Sequence, residues 1–218
     1  MKYIFANWKS NKNIDSAREW LNDLNVVTAK HEVVLLPPFP LLGAIYELAS
    51  EKRLKLGVQD LSPLSAGSYT GAVSAVNLEG LNVEYAVVGH SERRHYFAES
   101  DIDVANKVDQ AVEAGITPVV CVDEEYIESQ SYAIDNKYFD KCIIAYEPLS
   151  AIGTGDEMDS DKVLEVVKRI RQVFGDVRVI YGGSVNGSNV KEYLKVCDGV
   201  LVGGASLKVK EFEDIILF

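Results

Sequence analysis

Eight short apolar runs, separated by segments of helical periodicity, constrain the fold of this chain more than any other feature. They cover residues 3–6, 33–36, 54–58, 85–88, 119–122, 143–146, 177–181 and 200–202. Each run has the length of a strand and shows little polar alternation, which is typical of strands buried on both faces of a parallel sheet. The runs therefore predict eight parallel strands in an α/β fold.

The segments between the runs carry apolar residues at helical spacing. Such stripes consist of Ile14, Ala17, Leu21 and Leu24; of Val104, Val108, Ala111 and Val112, with Ser100 as N-cap and Gly115 beyond the end; and of Val163, Val166, Val167, Ile170 and Val173, stopped by Gly175. No linker or low-complexity tract divides the chain, so we expect residues 1–218 to form a single domain. Eight strand–helix units favour a closed (β/α)8 barrel, although a doubly wound sheet shows the same alternation.

Composition and charge exclude several classes of protein. The chain has 218 residues and a formal net charge of −11, which repels nucleic acid and anionic membranes. No apolar run approaches the roughly 18 residues of a membrane span, and the N-terminal run is too short for a signal peptide. Cys121, Cys142 and Cys197 are far apart and belong to no metal-binding motif. We expect a soluble cytoplasmic protein with reduced thiols, no metal, and neither nucleic acid nor membrane as a partner.

Three residues suited to proton chemistry directly follow apolar runs. Lys9 comes after the first run, His90 after the fourth and Glu147 after the sixth. Active sites of barrels lie at the carboxyl ends of the strands, so these side chains should converge on one pocket. Glu147 follows an apolar run, where desolvation would raise the pKa of a carboxylate toward that of a useful base. Singly, each residue also has a structural interpretation as a solvated lysine, a packed histidine or an ion-paired glutamate.

Two glycine pairs, Gly182-Gly183 and Gly203-Gly204, follow the last two runs. Barrels commonly bind phosphate at this position. Glycines let backbone N–H groups approach an anion closely. Each pair alone is compatible with a simple turn, but together they favour a ligand that carries phosphate.

Six segments, in order, resemble motifs of the triosephosphate isomerase family. They are Asn7-Trp8-Lys9, residues 89–94, Ala145-Tyr146-Glu147-Pro148, and residues 151–155, 181–185 and 203–206. The similarity covers almost the whole chain. It implies a (β/α)8 barrel that interconverts dihydroxyacetone phosphate and glyceraldehyde 3-phosphate, without a cofactor, in glycolysis and gluconeogenesis.

The resemblance also implies roles for individual residues. Glu147 would be the base that moves a proton between the two substrate carbons, and neutral His90 would polarise the carbonyl. Lys9 would supply positive charge, held in place by Glu92. The implied substrate-binding residues are Asn7, Lys9, Gly153, Ser184, Gly203 and Gly204.

Two further segments resemble functional loops of the family. Residues 148–158 resemble the lid over the phosphate. Residues 67–72, within the long loop of residues 61–74, resemble the loop that docks into the second subunit of a homodimer, with Thr70 at its tip. The sequence departs from the family's usual residues at Ala72, Asp123, Ser150 and residues 156–158. The segment between the fifth and sixth strands is also shorter than in the family, so we expect its helix to be truncated or irregular.

Two alternative functions remain open at the level of sequence. Another phosphate-binding barrel isomerase or epimerase, acting on a larger sugar phosphate, would keep the glycine pairs but need a different base. A non-catalytic barrel that only binds ligand would be expected to lack Lys9 or Glu147, and both are present.

Overall fold

The computed structural model describes residues 1–25, 30–148 and 157–217, and it contains a closed barrel of parallel strands. The strands are β1 Tyr3–Asn7, β2 Glu32–Leu36, β3 Lys55–Val58, β4 Val83–Val88, β5 Thr117–Val122, β6 Ile143–Tyr146, β7 Arg178–Tyr181 and β8 Gly199–Val202. Closure comes from the pairing of β8 with β1, in which Val200 lies opposite Ile4. This pairing confirms the predicted barrel and excludes the doubly wound sheet, whose outer strands remain unpaired edges.

Helices connect most successive strands and cover the outside of the barrel, but among the described residues β3 and β4 are joined without an α-helix and two helices lie between β4 and β5. The helices are α1 Ile14–Asp23, α2 Leu42–Glu51, α3 Ser91–Phe97, α4 Asp101–Glu113, α5 Tyr126–Ala133, α6 Ser160–Phe174, α7 Val190–Val196 and α8 Val209–Ile216. Ser100 caps α4 as predicted, and Gly175 is the C-cap of α6. Ile14 departs from the predicted apolar stripe, because it is the first residue of α1 and 43% exposed. No helix in the described ranges has the length and apolar character needed to cross a bilayer.

Alternation along the strands divides the core into two layers. One set of side chains packs inside the barrel: Phe5, Val34, Leu36, Tyr85, Val87, Val119, Cys121, Ile143, Ala145, Ile180 and Leu201. The residues between them pack against the helices. Successive side chains point to opposite faces of a strand, so every second side chain points into the barrel, and this alternation extends to the residues just after the strand. Glu147 follows Ala145 by two positions and therefore faces the mouth of the barrel.

The segment between β5 and β6 keeps a helix, but a short one. Helix α5 has 8 residues, against 13 in α4 and 15 in α6. Asp123 is buried, and its Oδ1 accepts hydrogen bonds from the backbone N–H groups of Glu125 at 2.8 Å and Tyr126 at 3.1 Å. The aspartate thus satisfies backbone donors that the start of a helix leaves without intrahelical partners. The expected truncation is confirmed, and the unusual aspartate anchors what remains of the helix.

Candidate active site

A cavity of about 260 Å³ lies at the carboxyl ends of the barrel strands. It is lined by Asn7, Lys9, His90, Glu147, Gly182, Gly183, Ser184, Val185, Asn186, Leu201, Gly203, Gly204 and Ala205. The structure therefore brings together Lys9, His90 and Glu147 from three different strand ends. Sites for drug-sized ligands span roughly 300–1,000 Å³, so this cavity suits a small ligand.

Glu147 is buried at the base of the cavity and only 2% exposed. Its Oε1 lies 3.1 Å from Nε2 of His90, and its Oε2 accepts a hydrogen bond of 3.2 Å from the backbone N–H of Ser91. Gly182 makes room for this side chain, since a Cβ at that position would lie 2.9 Å from Cγ of Glu147. The carboxylate is thus held between two fixed donors and faces the cavity.

His90 presents one N–H group to the cavity in a fixed tautomer. Its Nδ1 accepts a hydrogen bond of 3.2 Å from the backbone N–H of Glu92, in the first turn of α3. A ring nitrogen that accepts a hydrogen bond carries no proton, so the proton of the neutral imidazole resides on Nε2. The helix start therefore makes Nε2 a donor toward Glu147 and toward any substrate oxygen that enters between them.

Lys9 brings positive charge to the mouth of the barrel. Its Nζ lies 2.6 Å from Oε1 of Glu92, and the two side chains are 30% and 40% exposed. The backbone of Lys9 is left-handed, with φ of 50°, which is uncommon for a residue other than glycine. Hydrogen bonds hold this conformation: the Lys9 N–H donates to Oδ1 of Asn7 at 3.0 Å, and Nε2 of Gln59 donates to the Lys9 carbonyl at 2.9 Å.

The predicted phosphate-binding residues Ser184, Gly203 and Gly204 line the same cavity. Side chains anchor both loops: Nδ2 of Asn189 donates to the Ser184 carbonyl at 2.8 Å, and Oγ of Ser206 donates to the Gly203 carbonyl at 2.6 Å. A Cβ on Gly203 would lie 3.5 Å from Cε of Lys9, so this loop adjoins the positive charge. An anion bound here would meet both backbone N–H groups and the lysine.

Part of the predicted site lies outside the described residues. This applies to Gly153, to Ser150, and to the predicted lid apart from its ends at Pro148 and at Glu157 and Met158. Within the described ranges, no group of three or more histidine, cysteine, aspartate or glutamate side chains is arranged to hold a metal ion.

Sequence reasoning missed three residues that support the site: Gln59, Ser91 and Cys121. Gln59 directly follows β3, so the rule that singled out Lys9 after β1 would also have found it. Burial, and then the negative charge of Glu147, raises the pKa of the Cys121 thiol well above its ordinary value. Both effects favour the neutral thiol form of Cys121 beside Glu147.

Comparisons with known proteins identify the family of the chain. The family model described as triosephosphate isomerase matches residues 2–218. The chain is 37% identical over 241 residues to the triosephosphate isomerase of Clostridium tetani, covering 98% of this chain and 94% of the relative. It is 41% identical over 230 residues to that of Mesomycoplasma hyorhinis (96% and 95%), and 35% over 244 residues to that of Dictyoglomus turgidum (99% and 98%). The chain therefore belongs to the triosephosphate isomerase family of aldose–ketose isomerases.

Proposed function

We propose that this chain interconverts dihydroxyacetone phosphate and glyceraldehyde 3-phosphate, with Glu147 as base, His90 as hydrogen-bond donor and Lys9 as cation. The observation that carries the proposal is the approach of Glu147 to His90, at 3.1 Å, inside a cavity that also contains Lys9. A carboxylate and an N–H donor that meet at one point can act on a carbon and its neighbouring carbonyl oxygen together.

The proposed reaction is a proton transfer through an enediolate. The Glu147 carboxylate removes a proton from the carbon next to the carbonyl and returns it to the former carbonyl carbon. A second proton passes from the hydroxyl oxygen to the former carbonyl oxygen by way of His90. Negative charge develops on the substrate oxygen, where the Nε2–H of His90 donates a hydrogen bond and Lys9 adds positive charge. Donors that are already oriented before the reaction stabilise such charge without reorganisation. Because carbon acids are weak, the base must also lie close to the reacting proton.

Substrate size and charge fit the same cavity. We infer that Asn7, Ser184, Gly203 and Gly204 hold the substrate with Lys9, and that Gly153 completes the phosphate site. A volume of about 260 Å³ favours a triose phosphate over a larger sugar phosphate. The presence of all three reactive side chains argues against a barrel that only binds ligand. We also propose that residues 1–218 act as one domain, in the cytoplasm, within glycolysis and gluconeogenesis.

Turnover of the wild type and of His90→Gln tests the proposal. We expect the wild type to convert glyceraldehyde 3-phosphate in a coupled assay, and the variant to have a kcat lower by about a hundredfold or more, as for the loss of one oxyanion donor. Affinity for glycerol 3-phosphate, which lacks the carbonyl, should be unchanged, because other loops contact the phosphate. An inactive wild type, or a variant with normal kcat, would contradict the proposed function.

We further propose a homodimer in which residues 61–74 dock against the partner near the equivalents of Asn7, Lys9 and Glu92. A hydrogen bond of 2.8 Å from the Ser62 N–H to the Val73 carbonyl closes this loop at its base, leaving Thr70 exposed at the tip. Tyr69 in the loop is 46% exposed and Phe97 in α3 is 68% exposed. A two-fold contact through the loops would remove these rings from water, and it covers both loops by the same contact.

Light scattering at micromolar concentration checks the dimer. We expect twice the mass of the monomer for the wild type, and a shift toward monomer with lower activity for Tyr69→Asp, which places a charge in the interface. The matched control is Tyr132→Asp, because Tyr132 is 88% exposed and lies on α5, away from the loop. A fully active monomeric wild type would exclude this assembly.

A further inference from the structure

We propose that Tyr126 and Gln130 of the short helix α5 are positioning residues for the His90 loop, and that they act through Arg94. The inference deepens the proposed function and rests on it, since it takes His90 as a member of the active site. It depends on two contacts in series: α5 holds the guanidinium of Arg94, and Arg94 holds the peptide group that precedes His90.

Arg94 is a buried connector between the active-site loop and two helices. Its side chain is 6% exposed, and its Nε donates a hydrogen bond of 2.9 Å to the carbonyl of Gly89. Nη1 donates to Oδ1 of Asp101 at 2.7 Å, and Nη2 donates to Oε1 of Gln130 at 2.5 Å. Each guanidinium nitrogen therefore has an acceptor, and these contacts together fix the position of the guanidinium beside Gly89.

Gly89 sets the direction of the backbone that enters His90. It has φ of 70°, and its N–H donates to Oε1 of Glu99 at 3.0 Å while its carbonyl accepts from Arg94. A Cβ on Gly89 would lie 3.0 Å from Nη2 of Arg94. Two buried side chains thus hold both peptide groups of this turn, and a displacement of Arg94 would reach His90 through a single residue.

Helix α5 supports Arg94 with one aromatic face and one amide. Cζ of Arg94 lies 4.1 Å from the centre of the Tyr126 ring, a cation–π contact that strengthens when it is removed from water. Gln130 is fully buried, and its Nε2 donates to the carbonyl of Asp101 at 3.0 Å. Its amide therefore fixes the arginine and the first residue of α4 together.

The same region lies directly behind the proposed base. A void of about 10 Å³ is bounded by residues that include Gly89, Arg94, Tyr126 and Glu147. Close packing on this side means that a shift of Arg94 cannot be absorbed without moving its neighbours. The truncated helix is consequently part of the support for catalytic geometry, although none of its side chains lines the substrate cavity.

Substitutions on α5 test the inference. We expect Tyr126→Leu and Gln130→Met each to lower kcat roughly tenfold, since a full 1 Å misplacement costs about a hundredfold. Affinity for glycerol 3-phosphate should not change, because the phosphate loops follow β7 and β8. Tyr126→Phe keeps the ring and should retain most of the activity. The control is Tyr132→Leu on the same helix, where the side chain is 88% exposed and kcat should stay at the wild-type value.

A second readout separates this inference from the proposed function. The ¹⁵N resonances of the His90 imidazole should shift in Tyr126→Leu and stay in place in Tyr132→Leu, whether or not the chain is an isomerase. Normal kcat and unshifted resonances in Tyr126→Leu would overturn the inference. An equal fall in kcat in Tyr126→Phe, Tyr126→Leu and Tyr132→Leu would also overturn it. If Gln130→Met fails to fold, the variants of the half-buried Tyr126 are sufficient to test the inference. An inactive wild type contradicts the proposed function, and the His90 resonances still decide the positioning role.

Discussion

Glu147→Gln is expected to lower kcat by far more than the hundredfold that we expect for Glu147→Asp. The amide has nearly the shape of the carboxylate and can still accept the Ser91 N–H bond, but it cannot take a proton from carbon. Aspartate keeps the carboxylate and withdraws it by one methylene, a misplacement that costs about a hundredfold in rate. That factor corresponds to about 2.7 kcal/mol of activation free energy.

The comparison needs turnover and binding in the same preparations. Affinity for glycerol 3-phosphate should be preserved in both variants, because Ser184, Gly203 and Gly204 are unchanged. Glu113→Gln, at the exposed end of α4, is the control for loss of one negative charge. Near-normal kcat in Glu147→Gln would defeat the proposed mechanism, whereas unfolding of both Glu147 variants would show that the residue is structural.

Lys107→Met should destabilise the fold by about 3–5 kcal/mol, the usual cost of leaving a buried charge without its partner. Nζ of Lys107 lies 2.6 Å from Oδ1 of Asp60 and 2.6 Å from Oε2 of Glu99, and the lysine and Glu99 side chains are each 4% exposed. Arg93 remains as a second cation, with Nε 2.7 Å from Oε2 of Glu99. Methionine has a volume similar to that of lysine, so the destabilisation would come mainly from the loss of the positive charge and not from lost packing.

The effect of Lys107→Met should shrink as the pH falls. Burial acts to raise the pKa of Glu99, but hydrogen bonds and charge from Lys107 and Arg93 outweigh it and hold the pKa below its ordinary value. This carboxylate therefore stabilises the wild type above the ordinary glutamate pKa of about 4.3, and that contribution is lost on acidification. Without Lys107, burial favours the protonated carboxyl groups of Glu99 and Asp60, so the folded variant gains stability as it takes up protons.

Urea unfolding at pH 7 and near pH 4 measures this change. The control is Lys195→Met, since Lys195 is 67% exposed beside Glu192 and exposed pairs contribute little to stability. If the free energy of unfolding of Lys107→Met is lower than that of the wild type by the same amount at both pH values, lost packing and not unpaired charge destabilises the variant. Because Glu99 also accepts the Gly89 N–H, we expect reduced activity in the folded fraction of this variant.

The sequence by itself predicted the strands, three of the helices (α1, α4 and α6) and a set of candidate reactive residues. Strand runs and helical stripes are local patterns, because the spacing of apolar residues within a short segment shows whether one face or both faces will be buried. Residues after the strands could be assigned to one mouth because parallel strands share a direction. The positions of Lys9, His90 and Glu147 therefore place them at this mouth, whereas their proposed roles come from the resemblance to the family.

Only the tertiary structure decided whether the sheet closes and which side chains support the site. Open and closed sheets have the same alternation, and the pairing of β8 with β1 joins the two ends of the chain. The contacts of Arg94 with Gln130, and of Lys107 with Asp60, likewise span 36 and 47 positions. Nothing local in the sequence marks such partners, because they meet only when the barrel closes and its helices and loops pack together.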